Sequence, residues 1–239
     1  MFRLLFLIAL LQFHQPVFST EDTVSQAVAR YLTRIHKYME DEDWINAKRE
    51  LEVTARRYFK NEDSYERALI NQLYGQFYAL QRDYKNAIPW FEKAIAKGRL
   101  PFAADLQVSY SLAQCYFQTG RYKDVIETLE NYRDKASKRG QNMAPIQLML
   151  LGIAYYQEQD TLNAYLNIAE ANATATKLNE EWLQYEFALA VKLEKYDDAV
   201  RVGQFLIFVN PEKKSYWKQL SGVYSVSYTH LRAHETIDD

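Results

Sequence analysis

The feature that most constrains this chain is a recurring spacing of small and bulky residues. Gly75, Tyr78, Ala87, Phe91 and Ala94 follow one another at intervals of 3, 9, 4 and 3. A related set recurs as Ala113, Tyr116 and Leu129, with Val125 and Tyr132 at the two later small positions. It recurs again as Gly152, Tyr155, Ala164, Ile168 and Ala171. With Gly75 as an anchor, the equivalent residues along the chain are Ile35, Gly75, Ala113, Gly152, Phe187 and Ser221. They are offset by 40, 38, 39, 35 and 34 residues. Self-similarity on this scale belongs to stacked supersecondary units, none of which can bury its apolar face alone.

The spacing has a packing reason. Small residues at the anchor and at the positions 12 and 19 beyond it fall where two helices approach closely, and bulky residues between them fill the gaps. Composition agrees with helices: only 7 Gly and 5 Pro occur in 239 residues, against 19 Tyr and 12 Phe. The excess of the offsets over a period of about 34 residues places longer turns at Asn61-Glu62-Asp63-Ser64, Gly98-Arg99-Leu100-Pro101 and Lys138-Arg139-Gly140-Gln141, all polar or Gly-containing. Pro211 stops the helix that Tyr196 and Ala199 begin, because proline cannot continue one.

These residues resemble the tetratricopeptide (TPR) superfamily over roughly 24–225. The opening Trp217, Leu220, Ser221, Tyr224 and the turn Gly120-Arg121-Tyr122 fit it better than Sel1-like or HEAT-type arrays. A weaker leading unit carries Tyr31, Tyr38, Trp44 and Ala47. The resemblance implies an all-α fold, a right-handed superhelical solenoid of antiparallel helix pairs. It also implies that first-helix side chains 3 before, 1 after and 4 after each anchor line a concave, peptide-binding groove. In this sequence those are Gln72, Gln76, Tyr110, Gln114, Phe117, Met149, Ile153, Tyr156 and Gln184. TPR adaptors that clamp acidic C-termini carry Lys and Asn at the first two of these positions. The pairs here are Gln72/Gln76, Tyr110/Gln114, Met149/Ile153 and Gln184/Ala188, so no carboxylate clamp is expected. An aromatic, aliphatic and glutamine groove suits an extended or helical segment that offers apolar side chains and backbone amides.

The first 19 residues read as a cleavable signal peptide. Met1-Phe2-Arg3 supplies one positive charge, Leu4 to Leu11 is unbroken and apolar, and Val17-Phe18-Ser19 puts small residues where cleavage before Thr20 needs them. The run is too short for a membrane anchor, so contact with membrane is expected only indirectly. Export from a Gram-negative cell would make the mature chain periplasmic. At the other end, Val226 to Thr236 resembles the in-frame translation of a transposon-type sequencing adapter. The expected organisation is a leader at 1–19, a solenoid of about five units plus an incomplete last one at 20–225, and a non-native tail at 226–239 that marks a truncated sequence.

Catalytic and cofactor chemistry finds little support. Cys115 is the single cysteine and lies in an apolar stretch, where a buried thiol packs as a small hydrophobe. Of four histidines, His14 falls in the leader and His230 and His234 in the tail, which leaves His36. No phosphate-binding loop, dinucleotide glycine pattern or nucleophile elbow is present. A net charge of −2 offers no field for nucleic acid. Asn172-Ala173-Thr174 matches a glycosylation acceptor by chance. The expectation is a non-enzymatic scaffold with no cofactor, no metal and no nucleic acid, whose partner is a protein or peptide of the cell envelope. The segment from Asn210 to Gly222 resembles TPR proteins associated with TonB-type energy transduction. An envelope assembly or chaperone-like factor, and the regulatory module of a larger enzyme, are the alternatives.

Overall fold

The structure, a computed structural model, describes residues 26–58, 61 and 63–235; the side chains of 26, 27, 58 and 228–235 fall outside the description. The expected leader at 1–19 lies outside the described residues, as do Glu62 and 236–239. All eleven elements among the described residues are helices: α1 (Gln26–Glu40), α2 (Trp44–Tyr58), α3 (Tyr65–Leu80), α4 (Tyr84–Ile95), α5 (Phe102–Gln118), α6 (Tyr122–Ser137), α7 (Pro145–Gln157), α8 (Thr161–Thr174), α9 (Glu180–Lys192), α10 (Tyr196–Val209) and α11 (Lys214–Glu235). The chain divides into two compact units, Met1–Val108 and Ser109–Asp239, and the division falls inside α5. Consecutive helices pack as pairs, α1 on α2 and α3 on α4 in the first unit, α7 on α8 and α9 on α10 in the second.

The turn inside each pair repeats in register. Seven residues after the anchors Ile35, Gly75, Ala113, Gly152 and Phe187 stand Glu42, Arg82, Gly120, Gln159 and Glu194, all with positive φ (55°, 61°, 75°, 64° and 58°). The next N–H then donates back to the carbonyl three residues after the anchor. Asp43 reaches Tyr38 at 2.8 Å, Asp83 Tyr78 at 3.0 Å, Arg121 Tyr116 at 2.9 Å, Asp160 Tyr155 at 3.0 Å and Lys195 Ala190 at 2.9 Å. This six-residue closure satisfies orphan carbonyls at the end of the first helix. Where the donor residue is Asp, it also starts the second helix. The side chains of Asp43, Asp83 and Asp160 accept the N–H of Asn46, Asn86 and Asn163, and each Asn amide donates to the other carboxylate oxygen. Arg121 and Lys195 make no such cap.

The turns between pairs fall where the sequence places them. Ser64 caps α3 by accepting from Arg67 N–H at 3.1 Å, and Asp63 beside it takes a bidentate bond from Arg99, 36 residues on, at 3.0 Å and 3.0 Å. That pair ties the turn before α3 to the turn before α5 within the first unit. Ala144 precedes Pro145 at the start of α7, and Gln147 accepts the Ala144 N–H through its side chain at 2.8 Å.

The core of each pair follows the anchor. A Cβ added to Gly75 would sit 2.5 Å from Phe91 Cδ1, and one on Gly152 would sit 2.6 Å from Ile168 Cγ1. The anchor must be small because the bulky residue 16 positions later lies directly against it. The pair α9–α10 departs from the expectation of a small anchor: Phe187 is bulky and Gly203, 16 residues on, is small. A Cβ on Gly203 would meet Phe187 Cε2 at 3.1 Å. The same space is filled from the opposite helix. In the leading unit Ile35 and Leu51 are both fully buried and join Val28, Leu32, Met39, Ile70, Leu73 and Phe77 in one cluster. The last described helix, α11, buries Tyr216, Leu220 and Val223 and exposes Trp217 and Tyr224. Its backbone stays helical through Glu235.

Candidate functional site

Nine first-helix residues are expected to line a groove, and the two units place them differently. In the second unit Tyr110, Gln114, Phe117 and Gln184 are partly exposed and Tyr156 is exposed. They project from α5, α7 and α9 at equivalent register positions. Burial pushes the Tyr110 hydroxyl up to about 12, against a smaller opposing effect of its hydrogen bond with Gln114. Phe117 meets Tyr122 edge to face, with centroids 5.5 Å apart, and Lys192 lies 5.9 Å from the Tyr156 ring centroid. Phenol, phenyl and amide groups at the surface, with a nearby ammonium, can receive an apolar side chain and hydrogen-bond a peptide backbone.

Met149 and Ile153 do not share that surface. Both are buried, with Leu148, Leu150, Leu151 and Ala154, because α7 is apolar all round and packs against both α6 and α8. In the first unit Gln72 and Gln76 are buried on α3, and Gln72 Oε1, Gln76 Oε1 and the neighbouring Asn71 Oδ1 make no hydrogen bond. The open part of the expected groove is therefore Tyr110, Gln114, Phe117, Tyr156 and Gln184. Register alone identifies the face. It does not say which residues on it are covered.

Other groups singled out in the sequence have structural partners. Cys115 is buried and its thiol is pushed up to about 12, so it stays protonated at neutral pH. Burial holds the His36 imidazole below its usual value, against the raising effects of a hydrogen bond to the Leu32 backbone and the Glu40 charge. The Asn172 amide donates to Glu186 Oε2 at 2.8 Å, so the glycosylation-like triplet has its acceptor nitrogen in use. No cluster of three or more His, Cys, Asp or Glu able to hold a metal occurs among the described residues. Nor is any described helix long and apolar enough to cross a membrane.

One polar network of the second unit escapes sequence reasoning. Glu186 precedes the anchor Phe187, where the other units place Arg34, Tyr74, Leu112, Leu151 and Leu220, yet its carboxylate is 1% exposed. Arg201 on α10 donates to it at 2.9 Å and Asn172 on α8 does so from the other side. Arg201 also reaches Asp198, which accepts from the Tyr165 hydroxyl at 2.6 Å. A carboxylate this deep is tolerated because it is paired and hydrogen-bonded on both oxygens. Spacing along α8, α9 and α10 gave no signal for it, since its members lie on three helices.

Comparison with known proteins places this geometry. A family model described as anaphase-promoting complex, cyclosome, subunit 3 matches residues 80–141, from the end of α3 through α6. No curated protein matches the chain. Among solved structures, a TPR protein from Parabacteroides merdae is 15% identical, with 89% of this chain and 78% of that one covered at a TM-score of 0.60. MamA from Desulfovibrio magneticus RS-1 is 16% identical over 87% of this chain and 98% of that one, with a TM-score of 0.57. YrrB, a TPR protein with an unusual peptide-binding site, is 13% identical over 79% and 89%, with a TM-score of 0.60. The fold is that of TPR proteins, an all-α array of helix pairs.

Proposed function

We propose that the chain is a non-catalytic TPR scaffold that binds a protein or peptide segment on the first-helix face of its second unit. The observation that carries this reading is the partly open set Tyr110, Gln114, Phe117, Tyr156 and Gln184 at equivalent register positions. Aromatic anchors flanked by amides suit a segment with apolar side chains and free backbone groups. The fold shared with YrrB supports peptide binding as the mode. The leader-like residues 1–19 support export, and with it an adaptor role in a periplasmic cell-envelope complex. The Asn210 to Gly222 segment favours a complex of the TonB energy-transduction type.

Site-specific photocrosslinking tests the reading. A benzophenone amino acid at 156, in the chain expressed with its leader in a Gram-negative host, is expected to capture a discrete envelope protein. The same probe at Glu127, exposed on the second helix α6, is expected not to. Identical adduct patterns from both positions in a folded, exported chain would refute the assignment of the face.

A further inference from the structure

Among the described second helices, α8 differs from the rest in what it turns to solvent. Leu162, Leu166, Ala169 and Ala173 follow at intervals of 4, 3 and 4 and so share one side of the helix. Leu162 and Leu166 are each 50% exposed, Ala173 is exposed and Ala169 is partly so. The repeat gives no reason for such a stripe. The same four register positions hold Lys123, Glu127, Glu130 and Asp134 on α6. On α2 they include Arg49, Glu52 and Arg56, on α4 Lys85 and Glu92, and on α10 Asp197 and Arg201. The other second helices place charge there, whereas α8 places only leucine and alanine.

Intervals of 4, 3 and 4 are the knob spacing of a helix–helix seam, and the order of sizes selects the helix that fits. Two leucines precede two alanines. In a parallel pairing of α8 with itself, leucine would meet leucine and alanine would face alanine across a gap. In an antiparallel pairing about a two-fold axis, Leu162 faces the second copy's Ala173 and Leu166 faces its Ala169. Each layer then holds one large and one small side chain, which fills the space evenly. The same complement closes the contacts Gly75/Phe91, Gly152/Ile168 and Phe187/Gly203 inside the chain. Charge agrees with this choice. Glu170 is the one charged residue of α8, stands beside the stripe and has Arg133 of α6 at 3.9 Å. Closing the seam on a second α8 therefore strips water from no charge on the stripe itself, whereas any other second helix of this chain would press charged side chains onto the leucines. Antiparallel packing also sets the two helix dipoles in the favourable sense.

We propose that this side of α8 is a self-association surface, on which a second copy of the chain packs its own α8 antiparallel through Leu162, Leu166, Ala169 and Ala173. The surface is separate from the first-helix face that binds a peptide in the reading above. The seam spans under two heptads, short beside the roughly three or four that sustain a coiled coil. The dimer is therefore reversible and forms with rising concentration.

Analytical ultracentrifugation of the full chain over a concentration series tests it. The expected result is a monomer–dimer equilibrium that the double variant Leu162→Lys with Leu166→Lys weakens about tenfold or more, since the dimer would bring four ammonium groups into the seam. Ile45→Lys, at the register position of Leu162 on α2 and 83% exposed, should leave the equilibrium unchanged. So should Tyr156→Ala on the first-helix face. Lysine is a good helix former at exposed positions, so unchanged circular dichroism is expected of these variants. Direction is read by mixing cysteine variants under oxidation. Leu166→Cys should cross-link to Ala169→Cys in preference to itself, as the antiparallel register brings those two positions together. The native Cys115 is buried and does not compete. A folded parent that stays monomeric up to about 1 mM, or a dimer retained by the double lysine variant, would overturn the proposal. So would loss of the dimer on Ile45→Lys or Tyr156→Ala alone, or cross-links formed only between identical positions.

Discussion

Replacing Gly75 by alanine adds one methyl group, and the structure says where it must go. The new Cβ would lie 2.5, 2.6 and 2.8 Å from three ring carbons of Phe91, whereas carbon atoms rest about 3.5–4.0 Å apart. Phe91 is 1% exposed, so the ring cannot swing into solvent, and α3 and α4 must part by a sizeable fraction of an ångström. Overpacking of this kind costs about 1–3 kcal/mol. Alanine returns about 1 kcal/mol through helix propensity, which leaves a net loss of up to about 2 kcal/mol. Gly222 on α11 is the matched control: a Cβ there meets nothing within 4 Å. The same substitution at Gly222 should therefore stabilise by about 0.5–1 kcal/mol. Urea unfolding followed at 222 nm reads the opposite signs, and hydrogen exchange assigns the Gly75→Ala effect to α3 and α4. Phe91→Leu should relieve the clash, so the double variant should lose less than the sum of the single losses by about 1 kcal/mol. Strict additivity, or equal effects at Gly75 and Gly222, would refute the claim that anchor size is set by the residue 16 positions later.

Two further outcomes follow from the turn geometry and the buried network. Arg82 at φ 61° sits where L side chains are strained by about 1–2 kcal/mol. Arg82→Gly should raise stability by about 0.5–1 kcal/mol once the larger unfolded-state entropy of glycine is subtracted; a lower urea midpoint would contradict the strain. The Tyr165 hydroxyl, hydrogen-bonded to Asp198, holds that carboxyl below its usual range. A depressed folded value means stability fully present above the unfolded pKa of about 4 and lost as pH falls through the folded one. Tyr165→Phe should flatten that acid loss between about pH 5 and pH 3, as read by thermal unfolding, and an unchanged slope would remove the bond from the account.

Much of the fold was legible because a repeat writes its packing into spacing. The five left-handed turn residues follow their anchors by the same interval even though four of them are not glycine. The turn is set by helix closure around it, and the local residue only tolerates it. Composition alone would have found just Gly120. The Phe187/Gly203 exchange was hidden for a related reason. Where the two helices meet most closely, at Gly75/Phe91, Gly152/Ile168 and Phe187/Gly203, one residue is small and the other bulky, and either helix can supply either one, so a pattern that asks for a small anchor misses the reversed pair.

The candidate site was legible only as a face. Register assigned Tyr110, Gln114, Phe117, Tyr156 and Gln184 to the same face as Gln72, Gln76, Met149 and Ile153, and only the first five are open. Periodicity along one helix reports direction around that helix, while accessibility depends on what neighbouring helices cover. The Glu186 network has the same origin in groups brought together from different helices. By itself the sequence determined the all-helical array, the positions of its turns and the close contacts at Gly75 and Gly152, since these are short-range consequences of residue size and backbone closure. Tertiary structure alone decided which polar and aromatic side chains face solvent and which carboxylate is buried and paired. Those outcomes depend on the relative placement of residues that the one-dimensional spacing never compares.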